Sequence, residues 1–141
     1  MILHLNQDRV SERQWNCGKR ILLVDDNNTS LYLAQRILKK LELAAEILIA
    51  RDGQEALNII KAVGQSGQEL GLILLDINMP VMDGFELLEE LQNSADLRSV
   101  PCHIVLLSSS RHQLDLARAS KYPIVDFIQK PLSPEKLARF L

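Results

Sequence analysis

The sequence predicts an α/β fold in which helices cover a parallel β-sheet. Three observations support this fold class: short apolar runs recur along the chain, stretches with the spacing of amphipathic helices lie between them, and most runs end in a polar residue. Because strands that alternate with helices are joined by crossover connections, they pair in parallel. At 141 residues the chain is most simply one domain with a normal core.

Five apolar runs are the predicted strands. Each is five or six residues long and rich in Ile, Leu or Val, which is typical of a strand buried on both faces. The predicted strands are 20–24, 46–50, 71–75, 103–107 and 124–129.

Amphipathic stretches predict five helices. Thr29 is the expected N-cap of the first helix, and Ser133 with Pro134 opens the last one. The glycine- and glutamine-rich stretch 63–71 is predicted to be an exposed loop. The helices are expected at 29–41, from 53 up to that loop, at 85–92, at 113–120 and at 134–141.

Composition and charge disfavour several function classes. The net charge is −2 and the pI about 5.9, whereas nucleic-acid-binding domains are usually basic, so we expect no direct contact with nucleic acid. No run of 18 apolar residues is present, so we expect no membrane span. Residues 1–18 lack the apolar core of a signal peptide and are expected to form a flexible N-terminal extension before a domain at 19–141. We therefore expect a cytoplasmic protein in which Cys17 and Cys102 are reduced thiols.

The polar residues that end the predicted strands form the candidate site. Asp25 and Asp26 follow the first strand, Asp76 the third, Ser108 the fourth and Lys130 the fifth. Since the carboxyl ends of parallel strands share one edge of the sheet, these side chains should converge. Three carboxylates repel each other unless a cation neutralises them, and such oxygen-rich clusters select hard divalent ions such as Mg²⁺. With a lysine as phosphate partner, this set suits a carboxylate nucleophile that accepts a phosphoryl group.

Four motifs in this order resemble the receiver domain of bacterial two-component response regulators, over about residues 19–141. They are VDD (24–26), DINMPVMDG (76–84), the serine pair 108–109 and FIQKP (127–131). The resemblance implies a flavodoxin-like (βα)5 fold, a doubly wound sandwich with a five-stranded parallel sheet in the order 2-1-3-4-5. It also implies a phosphoprotein that acts in phosphorelay signal transduction.

The resemblance implies a role for each acidic residue of the candidate site. Asp76 matches the phosphoacceptor of the family. Asp25 and Asp26 match the acidic pair that holds Mg²⁺, and Asp76 and the backbone carbonyl of Asn78 complete the implied set of metal ligands.

The resemblance also implies roles for other positions. Lys130 matches the lysine that pairs with the acceptor and its phosphate, and Ser108 matches the hydroxyl that moves towards that phosphate. Phe127 matches the aromatic switch residue, although many relatives have Tyr there. Pro131 matches the proline that follows a cis peptide bond in many relatives.

The implied partners come from the same family. The phosphoryl donor would be a sensor histidine kinase or a histidine phosphotransfer protein. Phosphorylation would bias a two-state equilibrium of the surface formed by helix 113–120, strand 124–129 and helix 134–141. That surface would act on a downstream effector protein or support a phosphorylation-dependent homodimer. On this interpretation the chain is a signalling domain and not an enzyme.

Three alternatives compete with this interpretation. A Mg²⁺-dependent phosphatase that forms an aspartyl phosphate needs a second acid two residues after the nucleophile, and Asn78 occupies that position. A pseudo-receiver that acts only as a scaffold is disfavoured by the complete set of Asp, Ser and Lys. A dinucleotide-binding domain needs a glycine-rich turn after the first strand, where the sequence has VDDNNTS.

Overall fold

The described part of the chain contains five strands, four helices and the two helical residues Ala117 and Arg118. The structure, a computed structural model, describes residues 20–41, 46–68, 70–79, 82–93, 103–109, 117–118, 121 and 126–138. The strands are β1 Arg20–Val24, β2 Ile47–Ala50, β3 Leu70–Asp76, β4 His103–Ser108 and β5 Asp126–Gln129, which confirms the five predicted strands. The helices are α1 Asn28–Lys40, α2 Gly53–Gln65, α3 Gly84–Asn93 and α4 Pro134–Ala138.

The strands form one parallel sheet in the predicted order, β2-β1-β3-β4-β5. The chain leaves β1 for the edge strand β2 and then crosses back to β3, so the strand order reverses between β1 and β3. The crevice at the carboxyl ends of two such strands is where open α/β sheets bind ligands. Asp25 follows β1 and Asp76 ends β3, so both carboxylates lie at this crevice.

The core lies on both faces of the sheet. Because side chains alternate along a strand, successive residues of one strand pack against different helices. Leu22 and Ile73 pack with α2 and α3 on one face, whereas Leu23 and Leu74 pack with α1 and α4 on the other. All seven residues of the central strand β3 are buried, which explains its continuous apolar run.

The first helix has Asn27 as its N-cap, so the predicted cap at Thr29 is wrong. Asn27 has an extended backbone (φ −99°, ψ 118°), and its side-chain oxygen accepts a hydrogen bond from the Ser30 N–H at 2.9 Å. This bond satisfies an N–H that the first helical turn leaves unpaired. Several consecutive polar residues could serve as the cap by residue type, and the backbone geometry selects Asn27.

The connection between α2 and β3 is shorter than the predicted loop 63–71. α2 extends two residues past Val63, because that buried side chain continues the apolar face of the helix. Leu70 and Gly71 already belong to β3 and are buried. Gly67, in the remaining turn, has a φ of 76°, which glycine adopts without strain. The polar composition of the stretch concealed the helix and strand residues at its two ends.

Some predictions lie outside the described residues. These are the N-terminal extension at 1–18, the two cysteines, and most of the predicted helix 113–120, of which Ala117 and Arg118 are described and helical. In the part of the chain that the structure describes, no helix has the length and apolar character needed to cross a membrane.

Candidate functional site

The candidate site lies at the carboxyl edge of the sheet, where four strands end in polar residues. Asp25 follows β1, Asp76 and Ser108 are the last residues of β3 and β4, and Lys130 follows β5 directly. Among the described residues, the buried polar or charged ones are Asp25, Asp76 and Ser108, at 5%, 5% and 1% exposure. The structure therefore brings the predicted residues together and buries groups that are costly to bury unless they are compensated.

Lys130 bridges the two buried carboxylates. Its Nζ lies 2.9 Å from Asp25 Oδ2 and 3.5 Å from Asp76 Oδ1. Its backbone is also held, because the Lys130 N–H donates to the Ser108 carbonyl at 2.7 Å. An ammonium group is a compact positive charge, so at this position it can also interact with a phosphoryl group near Asp76.

Three carboxylates form a cluster at this edge. One oxygen each of Asp25, Asp26 and Asp76 lie within 4.8 Å of one another, and Asp26 is the exposed member. A single lysine does not neutralise three carboxylates, so the cluster keeps an excess of negative charge. Hard oxygen ligands at this spacing fit Mg²⁺ or another hard divalent cation.

Backbone N–H groups orient two of these carboxylates. The Asn27 N–H donates to Asp25 Oδ1 at 2.9 Å, and the Asn78 N–H donates to Asp76 Oδ1 at 3.4 Å. Asn27 therefore has a second role at the site, which its residue type alone did not reveal. Asn78 is exposed beside the cluster, and the role of its carbonyl as a metal ligand stays a prediction.

Burial and a neighbouring charge raise the pKa of Asp76. The pKa rises from 3.8 to about 6, mainly because burial disfavours the carboxylate and further because Asp25 is close. The charge of Lys130 and the hydrogen bond from Asn78 lower this pKa without cancelling the rise. A divalent cation would act in the same direction as Lys130 and favour the ionised form that a nucleophile requires.

The acidic neighbours keep Lys130 protonated. Burial by itself would lower the pKa of Lys130. The hydrogen bond to Asp25 and the charges of Asp76 and Asp25 together outweigh burial, so the pKa of Lys130 is raised above its usual value.

Ser108 and Phe127 lie on neighbouring strands. Ser108 is one residue beyond Leu107, which pairs with Asp76 in the register of β3 and β4. Phe127 pairs with Leu106, is buried and packs in the core beside α2 and α3. The predicted hydroxyl thus lies on the strand next to the acceptor strand, whereas the predicted switch residue is a core side chain one strand further along.

Two glycines shape the loop after Asp76. The Gly84 N–H donates to the Ile77 carbonyl at 2.9 Å, and a Cβ at Gly84 would lie 2.8 Å from the Asp76 carbonyl oxygen. Gly53, at the start of α2, donates to the Met82 carbonyl at 3.1 Å, and a Cβ there would lie 2.6 Å from that oxygen. The Asp-Gly pair that ends the loop signals a turn in the sequence. No local pattern links Gly53 to this distant loop.

An apolar cavity of about 360 Å³ adjoins the site. It lies between α1 and the segment that follows β5, and it shares Asp25 and Lys130 with the site. Leu33 of α1 lines the cavity and is 41% exposed, and its neighbour Tyr32 is 60% exposed. The site and the exposed side chain of Leu33 therefore adjoin the same cavity.

Comparison with known proteins connects this fold and site to one family. The family model described as the response regulator receiver domain matches residues 21–141. The chain therefore belongs to the response regulator receiver domain family. Domains of this family are signalling domains of two-component systems, in which sensor histidine kinases are partners.

Two curated relatives illustrate the similarity along the sequence. "Probable methanogenesis regulatory protein FilR2" of Methanothrix harundinacea is 37% identical over 120 residues, which cover 84% of this chain and 76% of that protein. Response regulator Rcp1 of Synechocystis sp. is 32% identical over 117 residues, which cover 82% of this chain and 78% of that protein.

Three solved structures share the fold. The bacteriophytochrome response regulator AtBRR is 35% identical with a TM-score of 0.75, over 87% of this chain and 89% of that one. A second structure is the receiver domain of the sensor histidine kinase PA1611 of Pseudomonas aeruginosa, with magnesium coordinated in its active site cleft. It is 27% identical with a TM-score of 0.71, and the match covers 87% of this chain and 93% of that one. The phosphorylated cyanobacterial phytochrome response regulator RcpA is 30% identical with a TM-score of 0.71, over 87% and 88%.

Proposed function

We propose that this chain is a cytoplasmic phosphoacceptor domain of a two-component phosphorelay, with residues 19–141 as the receiver domain and Asp76 as the phosphoacceptor. The donor in this proposal is a phosphohistidine of a sensor histidine kinase or of a histidine phosphotransfer protein. The observation that carries the proposal is the position of Lys130 between Asp25 and Asp76, with Asp26 completing the acidic cluster. Such a set suits phosphoryl transfer, in which the protein mainly positions groups and stabilises charge.

The proposed reaction joins a carboxylate oxygen of Asp76 to the phosphorus atom of the phosphohistidine. The O–P bond forms as the N–P bond breaks, and the imidazole nitrogen keeps the electron pair of the broken bond. The product is an aspartyl phosphate. Lys130 donates to an oxygen of the transferred group, and Ser108 supplies a hydroxyl donor to the same group.

Asp25, Asp26, Asp76 and the carbonyl of Asn78 are the residues that would hold the metal ion, which we propose is Mg²⁺. The bound ion would neutralise the cluster and stabilise charge on the phosphoryl oxygens. The related P. aeruginosa receiver with magnesium in its active site cleft supports this assignment.

The exposed apolar side chains of α1 support a protein as the donor. Leu33 lines the same cavity as Asp25 and Lys130, and Tyr32, the residue before it in α1, is exposed. A donor element packed there would bring its phosphohistidine close to the carboxyl edge of the sheet. The Arg36 guanidinium lies 5.8 Å from the Tyr32 ring centroid and adds positive charge to the same surface.

Phosphorylation would be passed on through β4 and β5. The Lys130 N–H donates to the Ser108 carbonyl, so the ends of these two strands are linked. We propose that pairing of Lys130 and Ser108 with the phosphate shifts this link and changes the side-chain position of Phe127. The resulting two-state change of helix 113–120, β5 and α4 would alter binding of a downstream effector protein or of a second copy of the chain.

Incubation with acetyl phosphate and Mg²⁺ tests the proposed acceptor. Intact-protein mass spectrometry should detect one added phosphoryl group on the wild-type chain and none on Asp76→Asn. Asp83→Asn is the matched control, because Asp83 lies in the same loop and caps the Glu86 N–H, which an Asn side chain can also do. This control should be phosphorylated like the wild type.

The alternatives lead to different results. If the wild type is not phosphorylated by acetyl phosphate or by a phosphorylated phosphotransfer protein, and does not bind beryllofluoride, the proposal fails and a scaffold is favoured. Sustained release of phosphate from phosphomonoesters would favour a phosphatase, although Asn78 lacks the acid that such an enzyme uses.

A further inference from the structure

The side chain of Lys136 holds the segment that carries Lys130. The Lys136 Nζ donates to the carbonyl of Gln129 at 2.8 Å and to the carbonyl of Pro131 at 2.9 Å. These carbonyls belong to the residues directly before and after Lys130. One ammonium group therefore restrains the backbone on both sides of the site lysine.

α4 keeps Lys136 in place for this contact. The helix begins at Pro134, as predicted, and the Ser133 Oγ accepts a hydrogen bond from the Lys136 N–H at 3.2 Å. The next residue, Leu137, is fully buried and packs with α1 and the sheet. The hydrogen bond to Ser133 and the burial of Leu137 fix the backbone of Lys136. From this fixed position its side chain reaches the two carbonyls.

This restraint matters because Lys130 has a long and flexible side chain. Its Nζ must lie near two carboxylates, at 2.9 Å from Asp25 Oδ2 and 3.5 Å from Asp76 Oδ1. The register of β4 and β5 restrains its backbone through the bond from the Lys130 N–H to Ser108. Lys136 adds a contact to the carbonyl of Gln129, the last residue of β5, and one to the carbonyl of Pro131 just past the strand.

We propose that Lys136 is a positioning residue of the phosphoryl site, which acts through the backbone of segment 129–131 on the ammonium group of Lys130. This inference rests on the proposed roles of Asp76 and Lys130, and it needs no contact of Lys136 with the phosphoryl group. None of the proposed metal ligands lies in segment 129–131. Loss of Lys136 should therefore weaken binding of a phosphoryl group without weakening metal binding, because displacement of the Lys130 ammonium removes a cation that competes with the metal for Asp25 and Asp76.

Two affinities of the full chain, measured by isothermal titration calorimetry, test this inference. Lys136→Met removes the donors and keeps an aliphatic side chain. At saturating Mg²⁺ we expect this variant to bind beryllofluoride, a phosphoryl mimic, about fivefold to tenfold more weakly, the effect of losing a charge-assisted hydrogen bond. Its affinity for Mg²⁺ alone should fall by no more than about twofold.

Two further variants and one change of solvent serve as controls. Lys136→Arg should restore most of the beryllofluoride affinity, because a guanidinium also donates charge-assisted hydrogen bonds to carbonyl oxygens. Lys61→Met removes an exposed lysine from α2, on the opposite face of the sheet, and should leave both affinities unchanged. Salt at about 0.5 M screens charge effects between exposed groups that are more than a few ångström apart. The proposed effect of Lys136 is transmitted by contacts and not by its charge at a distance. The loss of beryllofluoride affinity in Lys136→Met should therefore persist at this salt concentration.

Wild-type beryllofluoride affinity in Lys136→Met would overturn the inference. An equal loss of Mg²⁺ and beryllofluoride affinity would also overturn it, because it would show general damage to the site. So would disappearance of the loss at high salt, or failure of Lys136→Arg to restore binding. Failure of the wild-type chain to bind beryllofluoride would instead overturn the proposed function of Asp76.

Discussion

The interior of β3 and its last residue follow opposite rules. From Leu70 to Leu75 the strand is apolar or glycine, and every residue is buried in the core. Asp76 continues the same strand and is also buried, but it carries a carboxylate whose charge burial disfavours. The interior of the strand therefore stabilises the fold, whereas its carboxyl end gives up stability to place a carboxylate in the candidate site.

The same contrast extends across the sheet. Within the described ranges, the buried polar or charged residues all lie at the carboxyl edge, and the strand interiors between α1, α2, α3 and α4 are apolar. A costly polar group in an otherwise apolar sheet is thus a better guide to function than the core itself. Each of the following variants tests one side of this contrast.

The largest effect is expected in the strand interior. Ile73 is fully buried near the middle of β3, so Ile73→Ala leaves a cavity that the surrounding core fills only in part. We expect the free energy of unfolding, measured by urea denaturation, to fall by about 2–5 kcal/mol. A loss below about 1 kcal/mol would contradict the tight packing of β3.

At the carboxyl end of β3 we expect a substitution to increase the free energy of unfolding instead of decreasing it. Asp76→Asn removes a buried charge, so we expect the free energy of unfolding at about pH 7, in metal-free buffer, to rise by about 1–3 kcal/mol. Addition of Mg²⁺ should reduce the difference in unfolding free energy between Asp76→Asn and the wild type, because the ion binds the folded wild type and stabilises it.

The pH dependence of this difference follows from the raised pKa. The pKa of Asp76 is about 6 in the folded protein, whereas the ordinary value for an aspartate, which applies to the unfolded chain, is 3.8. The folded state therefore binds the proton of Asp76 more tightly than the unfolded state does. The stabilisation from that proton is fully present below the unfolded pKa and is lost as the pH rises through the folded pKa. The advantage of Asp76→Asn should therefore be small at about pH 4 and grow towards about pH 7. A difference that does not change with pH would contradict this account.

Two glycines at different edges of the sheet sharpen the contrast further. Gly53→Ala places a Cβ 2.6 Å from the Met82 carbonyl oxygen and must displace the loop after Asp76. Gly67→Ala meets no atom within 4 Å, but its φ of 76° disfavours alanine. We expect both variants to lose about 1–2 kcal/mol of unfolding free energy. Only Gly53→Ala should bind Mg²⁺ more weakly, by about threefold to tenfold in calorimetric titrations. Equal Mg²⁺ affinities would show that the contact does not position the metal ligands.

The smallest effect is expected outside the site, on α1. Leu33→Asp should slow phosphoryl transfer from a phosphorylated phosphotransfer protein by about fivefold, because it puts a charge on the proposed docking surface. Phosphorylation by acetyl phosphate should not change, since a small donor does not need that surface. Asn58→Asp adds the same charge to the exposed side of α2 and should behave like the wild type with both donors. Equal slowing with both donors would show that the substitution at Leu33 disturbs the phosphorylation site itself and not the binding of a donor protein.

The strands and the convergence of their polar ends could be predicted because both depend on simple patterns. A buried parallel strand requires a continuous apolar run, and parallel pairing puts all carboxyl ends at one edge of the sheet. Asp25, Asp76 and Lys130 had to converge once the strands were recognised, and the structure confirms this with contacts of 2.9 Å and 3.5 Å.

The features that could not be predicted depend on geometry that residue type does not encode. Asn27 rather than Thr29 caps α1 because of its backbone angles. Gly53 contacts Met82, and Lys136 reaches back to the segment around Lys130, through contacts between separate elements. Neither contact leaves a local pattern in the sequence.

The sequence by itself determined where the five strands lie along the chain and which polar residues stand at their ends, because a run of apolar residues is a local property. Only the tertiary structure decided how those side chains meet. It set the distances from Lys130 to two carboxylates, the burial that raises the pKa of Asp76, and the restraint by Lys136. These quantities arise from the packing of separate elements and from the low-dielectric environment that this packing creates.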